Sequence, residues 1–96
     1  MNTNIENLKA EAAKLEEAGE FRSALEKYKE LALAEPQNIE ALFKLGEMHH
    51  QLGELPPAMS AYIRVIDLDP EHKKANVKIE MIKMILDYYN KDMINP

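Results

Sequence analysis

Identical residues recur in this chain at an interval of 34 positions. Four pairs show the interval: Gly19 and Gly53, Ala24 and Ala58, Tyr28 and Tyr62, and Pro36 and Pro70. A fixed period of this size is typical of arrays in which each unit buries its apolar face only by stacking on its neighbours. The sequence therefore predicts two structural repeats side by side.

Each repeat is predicted to fold as two helices, because apolar residues recur at helical spacing in both halves. Gly19 and Gly53 lie where the first helix of each repeat should end, since glycine accepts the left-handed conformation common at helix C-termini. Asn38 is predicted to cap the third helix. Pro56 and Pro57 suit the first turn of the fourth helix.

The two repeats are predicted over about residues 5–38 and 39–72, followed by a fifth helix over about 73–90. Two apolar faces share this last helix. One face is predicted to cover the end of the second repeat: Ala75, Ile79, Ile82, Leu86 and Tyr89. The other face needs a separate explanation: Val77, Met81, Met84 and Tyr88. No linker interrupts residues 1–96, so we expect one all-α domain.

Composition narrows the class of function. The chain has 12 basic and 17 acidic residues, a net charge of −5, which disfavours nucleic acid as the main partner. No apolar run is long enough to cross a bilayer and the first residues lack a secretory signal pattern, so we expect a cytoplasmic protein without membrane contact. The absence of cysteine excludes disulfides and thiolate metal sites.

The repeat resembles the tetratricopeptide repeat family. The second unit closely fits the nine positions at which the family has preferred residues, with a histidine where an aromatic residue is usual: Leu42, Leu45, Gly46, His49, Gly53, Ala58, Tyr62, Val65 and Pro70. The first unit matches less fully, because Glu11 stands where leucine is usual. The resemblance implies a right-handed α-α superhelix of two helix-turn-helix repeats with the fifth helix as a cap.

The resemblance also implies a protein-binding adaptor with a concave groove for a peptide or helix. The expected contacts are Lys9, Phe43, Glu47, His50, Lys74, Lys78, Met81 and Met84. Phe43 is the most informative of them, because an exposed aromatic ring is unfavourable in water unless a partner covers it. The alternative is that Phe43 packs on the helix of Val77 and Met81 as ordinary core.

A homodimer is the alternative function. In that interpretation the second face of the fifth helix (Val77, Met81, Met84 and Tyr88) packs against another copy. A third option, a chaperone-type carboxylate clamp, places lysines at Lys9, Lys74 and Lys78. It is disfavoured because Ala13 and Lys44 replace the two asparagines that such a clamp uses.

Enzymatic and metal chemistry find little support in the sequence. Glu47 and His50 share a helix face, but a zinc site needs three or four ligands, and neither His49 nor His72 has evident spacing to join them. Phosphate-binding loops and hydrolase motifs are absent from the sequence. We therefore expect no cofactor, no metal and no catalysis.

Overall fold

The computed structural model describes the backbone of residues 2–94 and the side chains of residues 4–89. Residues 2–94 form five helices and no strand. The helices are α1 (Asn2–Glu17), α2 (Phe21–Ala34), α3 (Ile39–Gln51), α4 (Leu55–Leu68) and α5 (Lys73–Ile94). The all-α prediction and the number of helices are confirmed, and α5 extends past its predicted end near residue 90.

Short turns connect the helices, and local sequence explains where the helices end. Gly19 and Gly53 have φ values of 79° and 74°, the left-handed conformation predicted for them. The Asn38 side chain accepts a hydrogen bond of 3.0 Å from the amide of Ala41 and so caps α3. These turns set the angle at which each helix returns along the previous one.

Helices pack on their neighbours in sequence, which gives an elongated array of 54 × 28 × 18 Å. Tyr62 of α4 is fully buried against α3, where Gly46 leaves room for its ring. A Cβ atom at Gly46 would lie 2.6 Å from Cε1 of Tyr62, so only glycine permits this close approach.

The fifth helix covers the open end of the second repeat. Ala75 and Ile82 are fully buried, and Ile79 and Leu86 pack beside them as predicted. Tyr89 was predicted to help cover the repeat from the same face, and this prediction is wrong, because its side chain is 60% exposed. Leu86 packs in the same cluster as Leu55, the first residue of α4. The next turn of α5, which carries Tyr89, therefore extends beyond the end of α4.

None of the helices in residues 2–94 has the length and apolarity that a bilayer span requires.

Candidate functional site

Helices α1, α3 and α5 line one face of the array, and three depressions lie along it. The first, about 450 Å³, lies between α1 and α3 and includes Lys9 and Glu40. The second, about 390 Å³, is bounded by His50, Lys78 and Met81 among others. The third, about 360 Å³, is lined by several residues that include Phe43, His72 and Lys74. Lys44 lines all three depressions, so they form one continuous surface, here called the groove.

An ion-pair cluster occupies the middle of the groove. Lys44 Nζ lies 3.0 Å from Glu16 Oε2 and 3.5 Å from Glu47 Oε1. The hydroxyl of Tyr28 donates a hydrogen bond of 2.8 Å to Glu16 Oε1. This cluster joins α1, α2 and α3, and it neutralises much of the charge at the centre of the groove.

The two glutamates also determine the protonation of Lys44. Burial disfavours the charged ammonium group, but the hydrogen bond to Glu16 and the charge of Glu47 outweigh burial and raise the pKa of Lys44. Lys44 is therefore positively charged at neutral pH. The sequence shows this residue only as a misfit for the carboxylate clamp, because no local pattern indicates that its partners lie on two helices.

Phe43 is half-buried at the edge of the third depression. Its ring centroid lies 5.5 Å from that of Tyr62 and 5.2 Å from that of His72. One side of the ring thus packs on the core while the ring still lines the groove. The neighbouring aromatic rings come from α4 and from the turn before α5, and Phe43 also packs against the core cluster that includes Ile82 of α5.

His50 forms part of the second depression and packs edge-on at 6.4 Å from the Tyr62 ring. Burial and the nearby Lys78 ammonium group lower the pKa of His50, and the Glu47 carboxylate opposes them only in part. Because the pKa of a free histidine is about 6.5, the His50 ring is mainly neutral at pH 7. It can present both a hydrogen-bond donor and an acceptor to a ligand in the groove.

The predicted contacts on α5 divide into two groups. Lys74, Lys78 and Met81 line the depressions, whereas Met84 and Tyr88 lie further along the helix, exposed and outside the three depressions. Among the described side chains, Lys74 and Lys78 have no carboxylate within 4.0 Å. Their charges are therefore available to a ligand.

The remaining histidines stabilise turns. His49 Nδ1 lies 2.9 Å from Glu54 Oε1, and Glu54 also accepts a hydrogen bond of 2.7 Å from Arg22. His72 Nδ1 accepts a hydrogen bond of 3.1 Å from the amide of Ala75 at the start of α5. Within residues 4–89, no group of three His, Asp or Glu side chains is arranged to hold a metal ion.

Comparison with known protein families supports the prediction of a repeat fold. No curated protein matches the sequence. A family model described as tetratricopeptide repeat matches residues 15–78. Because this match covers well over half of the chain and the five helices have the expected order, the protein belongs to the tetratricopeptide repeat family, whose repeats are generally non-catalytic protein-interaction modules.

Proposed function

We propose that the groove binds an extended or helical segment of another protein, and that the chain acts as an adaptor. The observation that supports this most is the continuity of the three depressions across α1, α3 and α5. The chain continues as one helix through Ile94, so its described part does not turn back into the groove. A binding partner would find a surface that is already formed.

The chemistry of the groove changes along its length. Glu6 lines the α1 side and Glu40 lines both the first and the third depression, whereas the α5 side carries Lys74 and Lys78 together with apolar Met81. A ligand with an apolar side chain for Met81 and a carboxylate for the two lysines fits the α5 side. Electrostatic complementarity contributes more to specificity than to affinity. Pairing between the charges of the ligand and those of the groove would therefore determine the direction in which the segment binds.

A preformed surface reduces the free energy lost in ordering the protein when it binds. The Glu16–Lys44–Glu47 cluster ties α1 to α3, and the packing of α5 on α4 fixes the third side of the groove. We therefore expect little change in the backbone of the groove on binding.

Site-specific photocrosslinking tests the proposal. A photoreactive side chain at Gln51, which is exposed and lines the second depression, should capture a partner in cells. The same group at Leu33, which is 82% exposed on α2, is the matched control. Capture from position 51 should decrease when Lys78→Glu is added, because that substitution reverses a charge proposed to bind the carboxylate of the ligand.

The masses of the adducts separate the alternatives. Adducts of a foreign protein from position 51 but not from position 33 would support the groove. Adducts of two 11.0 kDa chains from position 51 would favour the homodimer. Equal capture from both positions, or none from position 51, would contradict the proposal.

A further inference from the structure

Helix α5 has two apolar stripes on opposite sides. The stripe of Ala75, Ile79, Ile82 and Leu86 packs on the second repeat. The second stripe, here called the outer stripe, consists of Val77, Met81, Met84 and Tyr88, which are 58, 45, 71 and 65% exposed. At about 100° per residue the centres of the two stripes lie about 160° apart, so packing on α4 cannot cover the outer stripe.

The spacing of the outer stripe matches that of helix–helix contacts. Its residues follow at steps of four, three and four positions, the interval that places side chains along the narrow contact line of two paired helices. From Val77 to Tyr88 the stripe is about 16 Å long at a rise of 1.5 Å per residue. A helix of three or more turns is the shape that covers it.

The charges beside the outer stripe indicate the chemistry of that helix. Lys74 and Lys78 lie on its groove side, and among the described side chains neither has a carboxylate within 4.0 Å. Glu80 and Asp87 lie on the other side, where Lys83 is 3.7 Å from Glu80 and offsets part of its charge. On the groove side of the stripe the uncompensated charge is therefore positive.

A second copy of the chain fits this surface less well. Residues 73–89 carry four lysines and two acids, so two copies of the helix repel each other. Parallel pairing sets Lys73 of each copy against Lys78 of the other, whereas antiparallel pairing places these lysines beside the C-terminal turns of the other copy. Like charges in these flanking positions disfavour pairing and contribute to partner choice.

We infer that the outer stripe binds an amphipathic helix of another protein, whose apolar face packs along Val77, Met81, Met84 and Tyr88 and whose acidic flank faces Lys74 and Lys78. This inference rests on the proposed function, since Lys78 and Met81 belong to both surfaces. It adds a second contact surface, which runs along α5 beside the groove. Met84 and Tyr88 distinguish the two surfaces, because they lie outside the depressions.

Two synthetic helices of about three heptads test the inference. Both have leucine along the contact line, and one carries glutamate and the other lysine at the flanking positions. Fluorescence anisotropy measures the affinity of the protein for each synthetic helix. The measurement is made at physiological ionic strength, where screening limits the influence of the protein's net negative charge. The acidic helix should bind several-fold more tightly, and Lys74→Glu with Lys78→Glu should reverse the preference.

Substitutions locate the binding site of the acidic helix. Met84→Glu should weaken its binding about tenfold or more, because it places a charge in the apolar contact. Leu33→Glu is the matched control, an exposed apolar residue on α2, and should leave binding unchanged. Equal affinity for both synthetic helices, or equal effects of the two substitutions, would overturn the inference.

Two further outcomes have distinct meanings. If Gln51→Glu weakens binding of the acidic helix and Met84→Glu does not, the helix lies in the groove, so the inference fails while the proposed function stands. If the free protein instead dimerises and Met84→Glu abolishes the dimer, a second copy occupies the outer stripe and the inference is wrong.

Discussion

Tyr28 and Tyr62 are equivalent residues of the two repeats, but their hydroxyl groups have different surroundings. The Tyr28 hydroxyl donates to Glu16. The Tyr62 hydroxyl is buried and has no hydrogen-bond partner among the described residues. The repeat predicts the position of both rings but not this difference, because His50 stands in the second repeat at the position that Glu16 has in the first.

Substitution of each tyrosine by phenylalanine should therefore have opposite effects. Tyr28→Phe removes a hydrogen bond to a carboxylate and should lower the free energy of unfolding by about 1–2 kcal/mol. Tyr62→Phe removes a buried polar group without a partner and should leave stability unchanged or raise it by up to about 1 kcal/mol. Urea denaturation of the two variants measures both values, and equal losses would contradict this assignment.

Alkaline pH should destabilise the protein through the same residues. Burial is the first cause that raises the pKa of each phenol, and Glu16 adds to it at Tyr28 and Glu47 at Tyr62. Each phenol therefore loses its proton at a lower pH in the unfolded chain, where the tyrosine pKa is about 10, than in the folded protein. The contribution of these protonated phenols to the free energy of unfolding is thus fully present below about pH 10 and is lost as the pH rises above that value.

The measurement compares urea midpoints at about pH 9 and about pH 11. The wild type should lose stability over this range, and a Tyr28→Phe/Tyr62→Phe double variant should lose less, because its buried rings no longer titrate. A double variant that loses stability as steeply as the wild type would show that other groups are responsible.

At the scale of the helices, periodicity predicted most of the packing. It identified the buried stripe of α5, but it placed Tyr89 in that stripe because it carries no information about where the neighbouring helix begins. The groove residues were only partly predictable for a related reason. Helical spacing places Glu47 and His50 on one face of α3, but the pairing of Lys44 with Glu16 depends on how α1 and α3 stack.

Replacing a side chain by alanine should affect stability differently in the two stripes of α5. Ile82→Ala removes a fully buried side chain and should lower the free energy of unfolding by about 2–4 kcal/mol. Met84→Ala, two residues later on the exposed side, should change it by no more than about 0.5 kcal/mol. Chemical denaturation of both variants provides the comparison. A large loss for Met84→Ala in a monomeric protein would mean that the outer stripe packs within its own chain.

At the scale of the whole molecule, the groove follows from the linear order of the array. Because each helix packs mainly on its neighbours in sequence, the first helices of the repeats and α5 lie on the same side. The repeat and the family resemblance predicted this arrangement. The continuity of the three depressions could not be predicted, because it depends on the side chains that meet around Lys44.

The most direct test of the account is an NMR titration of the isotope-labelled protein with the partner segment that photocrosslinking identifies. The account predicts that the largest backbone shift changes fall on α1, α3 and α5, around Lys44, His50 and Met81. The exposed apolar residues of α2 and α4, such as Leu33 and Ile63, should change little. Shift changes concentrated on α2 and α4 would contradict the claim that the groove is the binding surface.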